Sequence, residues 1–500
     1  MDQPERSHSG WFAVALAWGA LWAVVGSLML SLLAPDPWPL QPSRASDVRA
    51  SLTVLEHGGP VLVGYRSASR LPYAIGFSDD QGVYLIVPVL SNWLGASDPI
   101  AVLRWLWIAA WALVLMFSAV VSRALFRSSW AALSAPPALL VCALSFGFGD
   151  IYWVSAWAGV ALLPLLVLLV RDRPRHLWAS LVLIALTAGV ATTVRSAAGL
   201  PVALAAAAVA IAAGRRWSMR LGVIVAVAAA YLAPALIVLP AIREHRDRRI
   251  GVNLSAQEPT SHPLWHSVYI GLGYIPNRYG IHYLDGYAAA AAQEADPGVR
   301  YLSPAYATVL HRQVSKLVER DPGVVAKVEI EKAVVVLSHA GRYLLLLALL
   351  LPAALSARDP ARLRRIELLL FLPALAIGAL PPILAVPFRD YELPLLAPLG
   401  ALGLLSIGSA AARVQSEWIA TRGASRTSSP HVRLTLGALS RTWPKRLTAG
   451  VLLLAVLLLA PVYLFARHVE AEHKRWDRRE RNQPTVRLVA ATADSWAALG

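Results

Sequence analysis

Residues 100–121 read IAVLRWLWIAAWALVLMFSAVV, twenty-two positions with one charge, Arg104. At 1.5 Å per residue such a helix is about 33 Å long, enough to cross a hydrocarbon core of about 30 Å. The block recurs along the chain. Mostly apolar stretches lie at 11–34, 130–147, 155–170, 177–194, 198–213, 221–240, 338–356, 367–386, 393–412 and 447–466, which with 100–121 makes about eleven expected spans. The fold class that follows is an all-α polytopic membrane protein. The first block lacks a small-residue cleavage site after a short apolar core, so it reads as an anchor and not as a removed signal peptide.

Composition agrees. Hydrophobic residues make up 57% of the 500 and charged residues 15%, against about 25% charged in a soluble globular chain. The net charge of +16 would suggest nucleic acid in a soluble protein. Here the basic residues sit mainly in short segments between apolar blocks, and no RNA-binding or zinc pattern accompanies them, so nucleic acid is not an expected partner. The single cysteine, Cys142, lies in an apolar block and can form neither an intrachain disulfide nor a metal site alone.

Lys and Arg cluster in alternate connections. Arg123 and Arg127 follow the second span, Arg171, Arg173 and Arg175 the fourth, Arg215, Arg216 and Arg220 the sixth, and Arg358, Arg362, Arg364 and Arg365 the eighth; 413–446 is basic throughout. The positive-inside rule then puts the N-terminus in the cytoplasm and the tail outside a bacterial plasma membrane. The expected organisation is a cytoplasmic N-terminus and first span (1–34), a first outer loop with a surface helix at 83–95 (35–99), six spans (100–240), a large outer loop (241–337), three spans (338–412), a basic cytoplasmic linker (413–446), a last span (447–466) and an outer tail (467–500). The tail from Arg467 to Arg481 reads as a solvated helical extension. No P-loop and no convincing internal repeat is visible, which disfavours an ATP-driven pump and an inverted-repeat transporter.

Gly76-Phe77-Ser78-Asp79-Asp80-Gln81-Gly82-Val83-Tyr84-Leu85 places two adjacent carboxylates before the expected surface helix. Such a pair repels itself unless a cation, proton or hydroxyl donor relieves it. One member can take a proton from an incoming hydroxyl as general base. Helix capping is the simpler reading, slightly preferred on these residues alone. Further on, Pro387-Phe388-Arg389-Asp390-Tyr391-Glu392-Leu393-Pro394 heads the tenth span. Arg389 suits bidentate phosphate binding, and an interfacial Arg–Asp pair with a Tyr anchor explains the same residues; both readings stay open.

These two segments, with the span layout, resemble the GT-C glycosyltransferases, multi-span enzymes that use polyprenyl-phosphate sugars, among them protein mannosyltransferases and aminoarabinose transferases. The resemblance implies a GT-C-like fold with amphipathic outer-face helices. It also implies Asp80, or Asp79, as catalytic base, with Asp80 preferred because it sits nearer the surface helix. Arg389 and Tyr391 would hold the donor phosphate, although Asp390 interrupts the usual Arg-Tyr and puts the alignment of Tyr391 in doubt. The implied partners are a polyprenyl-phosphate sugar donor and membrane lipids. The activity expected is transfer of the sugar to a lipid, glycan or protein acceptor. A transporter or flippase of a lipid-linked or polar substrate, or a non-catalytic assembly partner, is the alternative.

Other residues stand out on chemistry alone. Arg195 falls in a very tight connection between apolar blocks and reads as a second phosphate ligand against simple snorkelling. Asp150 sits beside Tyr152, Trp153 and Trp157, whose rings read as an interfacial belt. Asp150, Tyr84, His266, Asn277, His282 and Asp285 are the candidate acceptor or sugar contacts. His262, His266 and His282 near Asp285 invite a metal, but the spacings match neither an HExxH site nor another tight metal motif. The stretch reads first as a folded cap, next as an acceptor surface and last as a metal site, and no cofactor is expected. From Pro304 to Lys332 the spacing predicts one or two amphipathic helices.

Overall fold

The computed structural model describes residues 8–33, 42–66, 71–75, 80–146, 151–213, 216–257, 262–355, 360–427 and 445–481. These are mostly helical: α1 His8–Leu33, α2 Pro42–Glu56, α3 Gln81–Leu94, α4 Pro99–Phe126, α5 Ser129–Phe146, α6 Trp153–Asp172, α7 Leu177–Val194, α8 Leu200–Ala213, α9 Trp217–Ala233, α10 Leu239–Ile250, α11 Leu254–Gln257, α12 Leu264–Gly271, α13 Asp285–Ala295, α14 Pro304–Arg320, α15 Pro322–Leu355, α16 Pro360–Gly378, α17 Leu380–Leu384, α18 Arg389–Thr427 and α19 Lys445–Arg481. A π-turn, Pro234–Val238, joins α9 to α10. One short antiparallel hairpin, β1 Val63–Tyr65 and β2 Pro72–Ala74, pairs Gly64 with Tyr73.

The eleven apolar blocks fall mainly on helices, the one at 221–240 running through α9, the π-turn and α10 and the one at 367–386 divided between α16 and α17. Among the described residues six helical stretches are long and apolar enough to cross a membrane: Gly10–Met29, Pro99–Phe126, Trp153–Asp172, Leu177–Val194, Trp217–Ile250 and Tyr391–Ser416. Three shorter apolar helices, Ser129–Val141, Leu200–Ala213 and Leu369–Leu384, accompany them. The chain is a multi-pass α-helical membrane protein. Helices suit that setting because they satisfy every backbone polar group internally, where hydrocarbon offers no partner.

Helix α18 is the hub of the bundle, packing against α5, α6, α15 and α16. On one side α1 and α5 lie against α4; on the other α7, α8 and α9 pack on one another, and α8 on α16. Two apolar cores result. One gathers Trp107, Trp111, Leu139, Trp153 and Leu396. The other gathers Leu163, Leu166, Leu181, Val202, Val209 and Phe371.

Two polar segments build a cap. The first comprises α2, the hairpin and α3; the second runs from α10 to the start of α15. They are stitched by Arg246, only 2% exposed, whose guanidinium donates to the Leu62 carbonyl at 3.0 Å and pairs with Asp247 at 2.8 Å. Val54, Val63 and Leu254 close the same seam.

Three expectations about helices change in the fold. The surface helix starts at Gln81, two residues early. The amphipathic run after Pro304 becomes α14 and the first part of α15, which continues unbroken through the apolar block at 338–355. The tail is not a solvated extension: it prolongs the last apolar helix as α19 and docks on the cap. Ala466 and Val469 are buried there, His473 Nδ1 meets the Tyr274 carbonyl at 2.6 Å, and Trp476 stacks on His282 at 4.7 Å. The aromatic and apolar side chains along this face outweigh its charges once a cap surface is available to receive them.

Candidate functional site

The site begins on α2. Arg44, Asp47, Val48, Ser51 and Leu52 recur at helical spacing and share one face. Val48, Ser51 and Leu52 are buried on that face, where α2 meets α3. Arg44, one turn nearer the helix start, reaches Asp80: its Nε donates to Asp80 Oδ2 at 2.6 Å, with the two side chains 13% and 5% exposed. Asp80 occupies the N-cap position of α3 but makes no side-chain capping bond. The capping reading of Asp80 therefore fails. The carboxylate turns to Arg44, and the Tyr84 hydroxyl lies 3.5 Å from the same oxygen.

Burial first, then the Asp80 charge, pushes the Tyr84 hydroxyl above its ordinary range. The same two causes, in the same order, push the Asp47 carboxyl up to about 6. The Asp80 charge thus opposes ionisation of Asp47.

Helix α3 rests its first turn on the end of α7. A Cβ on Gly82 would lie 2.7 Å from Thr193 Oγ1 and 2.9 Å from the Thr193 carbonyl, so only glycine permits this approach. The contact sets the start of α3 against the end of α7, closed by Arg195, which is in extended conformation and 6% exposed. Its guanidinium carbon lies 4.2 Å from the Tyr152 ring centre and 5.6 Å from that of Tyr391. Arg44 approaches the same Tyr152 ring at 5.7 Å, and Tyr152 and Tyr391 are 5.9 Å apart. Snorkelling does not describe Arg195, and an interfacial belt does not describe Tyr152, which serves as a platform for two cations. A third arginine, Arg243 of α10, donates to Gln81 Oε1 from Nη2 at 2.6 Å and Nε at 3.1 Å.

Arg44 thus holds Asp80 at the positive end of α3, Arg195 shares the Tyr152 ring with Arg44, and Arg243 binds the next residue, Gln81, an arrangement suited to an anion. Beside Arg243 a cavity of about 530 Å³ opens against Asp247, Arg248 and Asn253. An apolar groove of about 430 Å³ lies between Trp178–Leu186 of α7 and Gly222–Ala226 of α9, toward the opposite end of α7 from Arg195.

Four residues singled out from sequence, Asp80, Tyr84, Arg195 and Tyr391, therefore converge. Asp79 and Asp150 lie outside the described residues. Arg389 opens α18 two positions before Tyr391, and its side chain is likewise outside them. Asn277 spends its amide within its own loop, donating to the Ile275 and Ile281 carbonyls and accepting from the Tyr279 and Ile281 amides. His282 stacks on Tyr287 and Trp476. His266 and Asp285 meet at 3.1 Å in the second cap segment. Tyr283 links the two regions: burial chiefly, then the neighbouring Tyr391, raises its hydroxyl well above its ordinary range, and Asp285 adds to the rise.

The sequence reading passed over Arg44, Asp47 and Arg243. The helical spacing of Arg44 and Asp47 with Val48 and Ser51 is visible in the chain and places both charges beside a buried face. Arg243 stands in a run of charges with nothing local to distinguish it.

A separate clasp lies at the start of α18. Glu392, 1% exposed, meets His339 Nδ1 of α15 at 2.7 and 2.8 Å, and His339 Nε2 meets Glu470 of α19 at 2.9 Å. No family model, no curated protein and no solved structure matches this chain.

Proposed function

We propose that this protein is a GT-C-like glycosyltransferase of a bacterial plasma membrane, moving a sugar from a polyprenyl-phosphate carrier to a lipid, glycan or protein acceptor at the outer face. The observation that carries the reading is the buried Arg44–Asp80 pair beside Arg195, itself stacked on Tyr152 and Tyr391. Such a set meets both demands of the reaction. The acceptor oxygen forms a bond to the anomeric carbon while the bond from that carbon to the carrier phosphate breaks. The phosphate leaves with the electron pair, and arginine forks are suited to hold it. The acceptor proton passes to the Asp47–Asp80 pair, whose Asp47 member titrates close enough to neutrality to accept it. Arg44 fixes the orientation of Asp80.

The transporter alternative calls for polar groups near the middle of the spans. Among the described residues, buried Arg195 ends α7 and buried Glu392 is the fourth residue of α18, while buried Glu331 and Lys332 lie in α15 before its apolar block at 338–355. The test is sugar transfer by the purified full chain from a panel of polyprenyl-phosphate sugars, beside a vesicle flux assay. Transfer by the wild type, lowered by about 10²–10⁴ in Asp80→Asn, supports the reading. Carrier flux without any transfer overturns it.

A further inference from the structure

The second cap segment brings together three ligand types that the sequence spaces too irregularly to form a motif. His262 and His266 are four residues apart at the start of α12, and Asp285 is the first residue of α13. One ligating atom from each lies within 4.8 Å of the others. We propose that His262, His266 and Asp285 form a binding site for a divalent transition-metal cation of the zinc class. The proposal stands whether or not the transferase reading does.

The donor set fits. Two imidazoles and one carboxylate suit zinc and its neighbours, and three protein ligands leave a coordination position open. Zinc bonds of about 2.0–2.1 Å set tetrahedral neighbours about 3.3 Å apart. The His266 Nε2 to Asp285 Oδ1 distance of 3.1 Å already meets that geometry. The wider separations close by a shift of about 1.5 Å, within reach of a rotation of His262, which is only half-buried.

His266 is the prepared ligand. It is 1% exposed, and its Nδ1 is hydrogen-bonded at 2.7 Å to the hydroxyl of Tyr306, itself fully buried. A metal-bound histidine characteristically anchors its second nitrogen in this way, which orients the ring. The Tyr306 hydroxyl can donate or accept, so it tolerates either state of the ring. On the other edge, Nε2 faces a carboxylate oxygen. Two such atoms at 3.1 Å require a proton or a cation between them, and a divalent cation can replace the proton.

Access is open from the carboxylate side, because the Asp285 side chain is 62% exposed. His262 lies with its ring centre 4.8 Å from that of His266. Tyr283, influenced by both Asp285 and Tyr391, connects this site with the tyrosine pair on which Arg195 rests.

The test uses the full chain without a polyhistidine tag, purified in detergent and stripped with chelator. Titration calorimetry with Zn²⁺, and Co²⁺ uptake followed by its visible absorption, read binding directly. One equivalent per chain is expected, with affinity lowered by at least about tenfold to a hundredfold in Asp285→Asn and His262→Gln. Asp285 is exposed, so its variant is expected to fold, which thermal unfolding checks. No stoichiometric uptake by the wild type, or wild-type affinity in both variants, overturns the proposal.

Discussion

Asp80 and Glu392 are both buried at the start of a helix, and both are partnered by a distant part of the chain. Their surroundings differ in kind. Around Asp80, Arg44 pairs with the carboxylate at the N-terminus of α3, Arg195 shares the Tyr152 ring with Arg44, and Arg243 holds the neighbouring Gln81. Around Glu392, one histidine bridges two glutamates and so fastens α15, α18 and α19 to one another. Arginine stays charged and presents five donors, more than one carboxylate uses. An imidazole has two nitrogens, and here each meets a glutamate. The first arrangement retains capacity for a ligand, whereas the second is a fastening.

The largest expected effect tests that contrast at Asp80. Asp80→Asn should lower sugar transfer by about 10²–10⁴. Arg44→Ala should lower stability by about 3–5 kcal/mol, because it leaves a buried carboxylate uncompensated. Removing both side chains should return the melting temperature toward wild type while transfer stays lost. If the double variant regains transfer, Asp80 is a structural partner like Glu392, and the contrast collapses.

Glu392→Gln should do the opposite. The clasp loses a charged partner for His339, at a cost of about 1–3 kcal/mol seen in thermal unfolding, with transfer changed by less than about tenfold. A loss of transfer as deep as that of Asp80→Asn at unchanged stability would move Glu392 into the site.

A smaller effect is expected at Arg195. Arg195→Lys keeps the charge but loses the planar stack on Tyr152, an interaction of about 0.5–2 kcal/mol. The KM for the polyprenyl-phosphate donor should rise about tenfold with kcat little changed. An unchanged KM would leave Arg195 as packing between tyrosines.

The smallest effect lies at Asp47. Its carboxyl titrates near 6 in the fold against an ordinary 3.8. The folded state therefore binds the proton more tightly, and the stability this contributes is full below about pH 4 and lost as pH rises through about 6. Asp47→Asn should thus raise stability at pH 7 by about 1 kcal/mol after solvent screening, seen as a higher melting temperature, and change little at pH 4. It should also move the acid limb of the transfer rate away from pH 6. Equal pH profiles of stability in the two proteins would contradict the shift.

The candidate site was half legible. Asp80 stood out because two adjacent carboxylates before an amphipathic helix are conspicuous, and Arg195 because a charge in a tight connection between apolar blocks needs a partner. Its partners did not stand out. Arg44 lies 36 positions from Asp80, and Arg243 lies 162 from Gln81. The metal reading of His262, His266 and Asp285 ranked last in sequence because the 19 positions separating His266 from Asp285 carry no fixed offset. Of the three histidines near Asp285, the one closest in sequence, His282, faces Trp476 of α19 instead.

The sequence by itself determined the membrane class and the helices. A block of some twenty apolar residues has one stable form in hydrocarbon, an α-helix that closes its own hydrogen bonds, so the information is local. Only tertiary packing decided which charges meet. The seat of α3 on Thr193, possible because Gly82 has no Cβ, set the helix that follows Asp80 against the end of α7, two residues before Arg195. The docking of α19 on the cap drew His282 away from Asp285 and joined Glu470 to His339. Pairings of that kind depend on how whole helices lie against one another, a property that no single stretch of the chain encodes.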